Sequence, residues 1–322
     1  MTRPFVFITR KISDNVVSML EQHFLVEMWC EEEEVIPREL LMEKAKQADA
    51  LLTMLTDKID EELLTQSPYL KVVANLAVGY DNIDLEAAKK NNVTVTNTPD
   101  VLTDTTADLT FSLLTATARR IPEAIDYIKD DQWKSWSPYM LAGSDIHHKT
   151  IGIVGLGNIG QAVAKRATGF DMEILYYNRS RKQDIESELG VKYVSFEDLL
   201  NRSDFVVCMT PLSKETEGMF NREVFKQMKD TAIFINSSRG GVVNEEDLFK
   251  ALESGEIKAA GLDVFQNEPI GADHPLLTLD QVVALPHIGS SSLETRTEMM
   301  ELAARNIKQV LNGGKALTPV HI

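Results

Sequence analysis

Residues 149–168 read "KTIGIVGLGNIGQAVAKRAT". "TIGIV" (150–154) is a short apolar run of the kind that forms a buried parallel strand, and "GQAVAKRAT" (160–168) reads as a helix packed on a sheet. Between them Gly155, Gly157 and Gly160 form a G-x-G-x-x-G array that includes Leu156, Asn158 and Ile159. Two such glycines let the backbone turn and approach a pyrophosphate, and the third lets helix and strand pack closely. The helix N-terminus then offers N–H groups and a positive dipole end to the phosphates. In this strand–turn–helix context the array predicts a dinucleotide site; the alternative is a tight βα turn with no ligand.

Strand–helix alternation continues from there through "EILYYN", "DFVVCMT", "TAIFINSS", "AAGLDVF" and "VVALP", and ends near His287. An independent series precedes it: "FVFIT", "LVEMW", "DALLTML", "LKVVANL" and "VTVTN", up to about Asn97, with helices opening near Ser13 and Pro37. Between the two series lies a long helix, about Asp100 to Arg120, without an adjacent strand. An aromatic segment with Trp133, Trp136, Pro138 and Tyr139 follows it. A second long helix, about Ser292 to Leu311, closes the chain and is expected to return to the first domain. The predicted fold class is α/β with two doubly wound parallel-sheet domains. A Rossmann-type cofactor domain (100–289) is inserted in a flavodoxin-like substrate domain (1–99 plus 290–322). The segment at about 121–147, too aromatic for a linker, is expected to pack against a second copy in a homodimer.

The composition is ordinary for a globular protein, but the formal net charge of the 322 residues is -16. Such a surface repels nucleic acid and anionic membranes, so neither is expected as a partner. A phosphate or carboxylate ligand must be held by local groups, because beyond a Debye length of about 8 Å the global charge is screened. The start, "MTRPFVFITRKISD", has only four consecutive apolar residues and reads as a first strand rather than a signal peptide or membrane span. The two cysteines, Cys30 and Cys208, sit in apolar runs and read as buried reduced thiols of a cytoplasmic protein. "EEEE" at Glu31 to Glu34 reads as a solvated turn. His147 and His148 are expected to point apart and His274 to be structural, so no metal site is expected.

"YYNRSRK" (176–182) lies where a dinucleotide-binding fold usually carries an acid for the ribose hydroxyls. Here that place holds Asn178, followed by Arg179, Ser180 and Arg181. A carboxylate would repel the extra phosphate of NADP, whereas a neutral amide does not. Two guanidinium groups and a hydroxyl can donate to that phosphate. The reading is NADP(H) preferred with NAD(H) possible; the alternative is two solvated surface arginines.

Three polar residues stand at strand ends in the second series: Arg239 after "AIFINSS", Glu268 after "GLDVFQN" and His287 after "VVALP". Ligands of open α/β sheets bind outside the carboxyl ends of the strands, so the three could converge. An Arg can anchor a carboxylate and polarise a neighbouring carbonyl, a His can exchange a proton, and a Glu can orient the ring and favour imidazolium. Each also has a plain reading as a loop charge.

With these stretches in hand the chain resembles the D-isomer-specific 2-hydroxyacid dehydrogenase family, most closely its glyoxylate and hydroxypyruvate reductase branch. The likeness spans nearly the whole chain through "NLAVGYDNID", "NTPDVLTDTTADL", "GLGNIGQ", "INSSRGGVVNEEDL", "AGLDVFQNEP" and "PHIGS". The resemblance implies that Arg239, Glu268 and His287 are the catalytic residues and that Asp263 holds the nicotinamide amide. It implies that the backbone at Val78 and Gly79, with Arg239 and His287, binds the substrate carboxylate and carbonyl. Thr106, Thr210 and Pro211, with Ser237, Ser238, Arg239, Asp263, His287 and Gly289, would line the cofactor site. Ser238 stands where the family commonly has Ala, and Met140 where some reductases have Trp. The activity implied is reduction of a small 2-ketoacid to a 2-hydroxyacid. Other dehydrogenases, for 2-ketogluconate or phosphoglycerate, and a non-enzymatic dinucleotide-sensing scaffold stay open.

Overall fold

Five apolar runs of the N-terminal third form strands β1 (Phe5–Ile8), β2 (Leu25–Met28), β3 (Ala50–Thr53), β4 (Val72–Asn75) and β5 (Thr94–Thr96). They pair in parallel in the order β2-β1-β3-β4-β5. Parallel neighbours need crossovers, and these are α1 (Asp14–Glu21), α2 (Arg38–Ala45), α3 (Glu61–Thr65) and α4 (Leu85–Lys90). β3 and β4 are buried at every position, the pattern of central strands covered on both faces. β2, at the edge, alternates exposed and half-buried residues. The computed structural model describes residues 3–321.

A second unit runs from Thr103 to Ser291. It opens with α5 (Thr103–Ala118) and α6 (Ile121–Lys129). There follow β6 (Thr150–Val154), α7 (Asn158–Thr168), β7 (Glu173–Tyr177), α8 (Gln183–Leu189), β8 (Lys192–Tyr193), α9 (Phe196–Arg202) and β9 (Phe205–Cys208). The unit is completed by α10 (Arg222–Phe225), β10 (Ile233–Asn236), α11 (Glu245–Glu253), β11 (Ala259–Leu262) and β12 (Val282–Ala284). The seven strands are parallel, in the order β12-β11-β10-β9-β6-β7-β8. The order reverses between β6 and β9, and that switch point is where an open α/β sheet forms its ligand crevice. α5 packs on α7, β10 and β11, burying Ala107, Phe111 and Leu114 with Ile151, Ile153, Val163 and Ile235 on one face of the sheet. Phe220, Phe225, Phe234 and Leu248 fill the other face.

α12 (Leu293–Leu311) belongs to the first unit and packs on β3, β4 and α1. Its buried Asn306 fixes the chain end: Oδ1 accepts from Leu317 N (2.9 Å) and Thr318 N (3.1 Å), and Nδ2 donates to Thr318 Oγ1 at 2.8 Å. Among the described residues, no helix is long and apolar enough to cross a membrane.

The structure corrects several expectations. Cys30 is exposed, not buried, because β2 is an edge strand that ends at Met28 and the thiol lies in the bend beside Glu31; Cys208 is buried. His147 and His148 do not point apart. His148 has a left-handed backbone (φ 58), which brings the two rings edge to face at 5.1 Å. The helix expected at about Asp100 to Arg120 is α5 and ends there as expected; what was not expected is a second helix, α6, opening directly after Arg120 (φ 53). β8, two residues long, is an additional edge strand that the sequence reading did not anticipate.

Candidate functional site

The glycine turn divides its labour. Gly155 has φ +102, and a Cβ there would lie 2.8 Å from the Met209 carbonyl carbon, so β6 can leave the sheet beside β9 only through glycine. A Cβ at Gly160 would lie 2.2 Å from Gly155 O, so this position is where helix and turn touch. At Gly157, the N-cap of α7, a Cβ would meet nothing within 4 Å. Open space therefore lies at the end of the helix whose first-turn N–H groups lack intrahelical acceptors. This cradle, which a side chain would fill, fits a diphosphate.

β7 delivers the next loop. Asn178 Oδ1 accepts from Leu156 N (3.3 Å), which ties this loop to the glycine turn. Arg179, Ser180 and Arg181 are exposed. Arg181 forms a two-point ion pair with Glu186 on α8, Nε to Oε1 at 2.8 Å and Nη2 to Oε2 at 2.7 Å.

Four further strand ends of the same sheet edge carry the polar residues. Thr210 and Pro211 follow β9, where Met209 N donates to Val154 O at 2.8 Å. Ser237, Ser238 and Arg239 follow β10. The buried Asn236 side chain shapes that turn: Nδ2 donates to Arg239 O (3.0 Å), and Oδ1 accepts from Ser238 N (3.1 Å) and Ser238 Oγ (2.9 Å). The Arg239 guanidinium donates to Ser238 O at 2.8 Å. A Cβ at Gly240 would overlap the Phe265 carbonyl carbon at 1.8 Å, so the Arg239 turn rests directly on the loop that carries Glu268.

His287 follows β12 in a left-handed conformation (φ 54). Two bonds hold it there: its Nδ1 lies 2.7 Å from Glu268 Oε2, and the next residue, Ile288, donates its N–H to Asp263 Oδ1 at 2.8 Å. Glu268 Oε1 accepts from Phe265 N at 2.8 Å, so both its oxygens are engaged. Burial pushes the Glu268 carboxyl towards neutrality. The hydrogen bond and charge of His287, the Phe265 N–H and the Arg239 charge outweigh burial and hold it below the usual carboxylate range. With Nδ1 committed to the carboxylate, Nε2 is the nitrogen that can exchange a proton with a ligand.

Asp263 sits at the end of β11, 1% exposed. Burial pushes its carboxyl up against the opposing pull of the Ile288 N–H, His287 and the Gly289 N–H. Its Oδ2 is buried without a partner. A Cβ at Gly289 would lie 3.1 Å from that oxygen and 3.3 Å from Thr106 Cγ2, so Thr106, Asp263 and Gly289 form one wall. An orphaned acceptor there fits an amide N–H donor such as the carboxamide of a nicotinamide.

In the first unit, side-chain amides pin the two carbonyls of the expected substrate loop. Asn97 Nδ2 donates to Val78 O and Asn75 Nδ2 to Gly79 O, both at 2.9 Å. The N–H groups of Val78 and Gly79 find no acceptor among the described residues. Two fixed carbonyls with their neighbouring donors unspent suit an anion. Asn75 and Asn236 were missed by sequence reasoning, although each is a polar last residue on an otherwise apolar strand. Among the described residues no group of three or more His, Cys, Asp or Glu side chains could hold a metal. His274 pairs with Glu245 at 3.3 Å.

Residues 111–289 match the family model described as D-isomer specific 2-hydroxyacid dehydrogenase, NAD binding domain. The chain is 53% identical over 315 residues to a glyoxylate reductase of Thermococcus kodakarensis (97% of this chain, 94% of that one). Among solved structures it is similar to a glyoxylate reductase from Paecilomyes thermophila, with TM-score 0.89 and 30% identity over 99% of each chain. It is also similar to an NADPH-dependent glyoxylate/hydroxypyruvate reductase from Sinorhizobium meliloti in complex with NADP and malonate, with TM-score 0.85, 31% identity and coverage of 99% and 97%.

Proposed function

The chain belongs to the D-isomer specific 2-hydroxyacid dehydrogenase family, and from that premise we propose that it is a reductase of small 2-ketoacids that prefers NADPH. Glyoxylate and hydroxypyruvate are its first candidate substrates. The observation that carries the reading is the His287–Glu268 pair, at 2.7 Å, one strand from an Asp263 oxygen that lacks a donor.

NADPH, when bound, supplies the hydride. The first turn of α7 would receive the diphosphate, Asp263 Oδ2 would accept from the carboxamide, and Thr106, Thr210, Pro211, Ser237, Ser238, Arg239, His287 and Gly289 would line the nucleotide. Arg239 binds the ketoacid carboxylate and draws electron density from the adjacent carbonyl. His287 gives the proton from Nε2 to the ketone oxygen as it becomes a hydroxyl. Glu268 stays ionised through the neutral range and stabilises the charged ring that must donate.

The preference for NADPH rests on Asn178, which places no charge at the ribose, and on Arg179 and Ser180 beside it. A hydrogen bond to a charged group contributes about 1.5–3 kcal/mol; discounted for the exposure of Arg179, that is enough for one arginine to separate the two cofactors by about three- to tenfold. Steady-state rates with glyoxylate, hydroxypyruvate, pyruvate and 2-ketogluconate, each with NADPH and NADH, test the reading. Turnover of the two small acids with NADPH favoured is expected. If none of the four is reduced with either cofactor, the substrate assignment fails and the phosphoglycerate dehydrogenase reading takes its place.

We also assign the homodimer to the second unit's exposed apolar face. Ile121, Ile125 and Ile128 recur along one side of α6 at 42%, 48% and 60% exposure, next to Trp133, Trp136 and Tyr139 at 58%, 77% and 89%. Apolar side chains exposed together along such a segment suit an association surface. Light scattering at micromolar concentration is expected to give twice the chain mass, about 72 kDa from the 36.0 kDa chain; a monomer there contradicts the assignment.

A further inference from the structure

The acid missing from the end of β7 reappears eight residues beyond Asn178, on α8. Glu186 binds Arg181 at two points (2.8 and 2.7 Å) and accepts from Tyr176 OH at 2.7 Å. Tyr176 is fully buried, and its oxygen accepts from Lys182 N at 2.8 Å. The Arg181 guanidinium also lies over the Tyr193 ring, 5.9 Å from its centre. Arg181, and the Tyr176 hydroxyl, hold the Glu186 carboxyl down at about 2, so it carries a full charge at any working pH. Arg179, by contrast, lies near Glu215, whose carboxylate is already bound by Ser213 Oγ at 2.7 Å.

We infer that Glu186 is a specificity-determining residue that holds Arg181 away from the ribose phosphate and so limits the preference for NADPH over NADH. The inference rests on the NADPH reading given above. It extends that reading by assigning the two arginines different work: Arg179 meets the phosphate, while Arg181 is neutralised by a carboxylate that itself repels the phosphate.

Two effects oppose each other when Glu186 loses its charge: a freed cation next to the phosphate, and a looser loop. The first wins, because the loop keeps its main anchor. Lys182 N donates to the hydroxyl of Tyr176, and the core holds Tyr176 whether or not Glu186 is charged. A glutamine can still accept from that hydroxyl through its amide oxygen.

The test is fluorescence titration of the full chain with NADPH and NADH for the unaltered protein, Glu186→Gln, Glu186→Ala, Arg181→Ala with Glu186→Gln, and Arg179→Ala. Glu186→Gln is expected to tighten NADPH by about three- to tenfold, the strength of a charge-assisted contact discounted for solvent exposure. NADH should move by less than about twofold, since it lacks the phosphate that the freed charge attracts. The gain should vanish when Arg181 is also replaced. Glu186→Ala should tighten NADPH in the same direction. No change, a loss of NADPH affinity, or an equal gain for NADH would overturn the inference. Arg179→Ala separates it from the reading beneath. If that variant loses NADPH selectively while the Glu186 variants gain nothing, only the role of Glu186 fails. If the unaltered protein binds both cofactors equally and Arg179→Ala changes neither, the NADPH reading fails and the inference falls with it.

Discussion

Replacing His287 by Ala is expected to lower kcat/KM for ketoacid reduction by about 10²–10⁴-fold at every pH, the usual contribution of positioned proton transfer. At roughly 1.4 kcal/mol per factor of ten, this corresponds to about 3–5 kcal/mol of barrier. The loss should fall on the chemical step. His287 Nδ1 is bound to Glu268, and its remaining nitrogen is the one assigned to the ketone oxygen. NADPH affinity should change much less, because most groups assigned to the nucleotide lie elsewhere, among them the glycine turn, Arg179 and Asp263. Single-turnover rates together with NADPH titration check both halves. A variant that keeps near-normal turnover would remove His287 from the mechanism.

The large features of the fold were legible because parallel strands covered on both faces are written as continuous apolar runs. "LKVVANL" and "TAIFINSS" became β4 and β10, buried along their whole length. Arg239, Glu268 and His287 could be singled out because each interrupts the pattern just past such a run, where the sheet's carboxyl edge gathers ligand contacts. What stayed hidden was set by tertiary neighbours. The sequence offered Arg179 and Arg181 as equals, yet Arg181 is taken by Glu186, a helix residue indistinguishable in composition from a solvated acid. The link runs through Tyr176, which reads as core because it is core, and whose hydroxyl still reaches the loop. Cys30 ends an apolar run as Cys208 does, but the first belongs to an edge strand and the second to the centre of a seven-stranded sheet. Asn75 and Asn236 each close a buried strand with an amide that returns to the following loop. A polar residue at that register was a signal available before the structure.

The measurement that tests the proton-donor pair most directly is the pH profile of reductive kcat/KM, at saturating NADPH, for the unaltered protein and for Glu268→Gln. Glu268 has its folded carboxyl below the ordinary range, with the partner bonds outweighing burial. Its charge is therefore present above the unfolded value near about 4.3 and is lost only as the pH falls through the lower, folded one. No limb from Glu268 should appear between about pH 5 and 8. The limb that does appear should be a fall in rate as the pH rises and the donor loses its proton. Glutamine cannot reproduce both bonds of Glu268: with its oxygen on the Phe265 N–H at 2.8 Å, its amide N–H faces the Nδ1 that the carboxylate now binds at 2.7 Å. That arrangement favours the neutral ring. The falling limb is therefore expected at lower pH in Glu268→Gln, with a smaller loss at pH 6 than at pH 8. A limb that stays where it was in the unaltered protein, at whatever overall rate, would contradict the pair and leave Glu268 as a support for the loop alone.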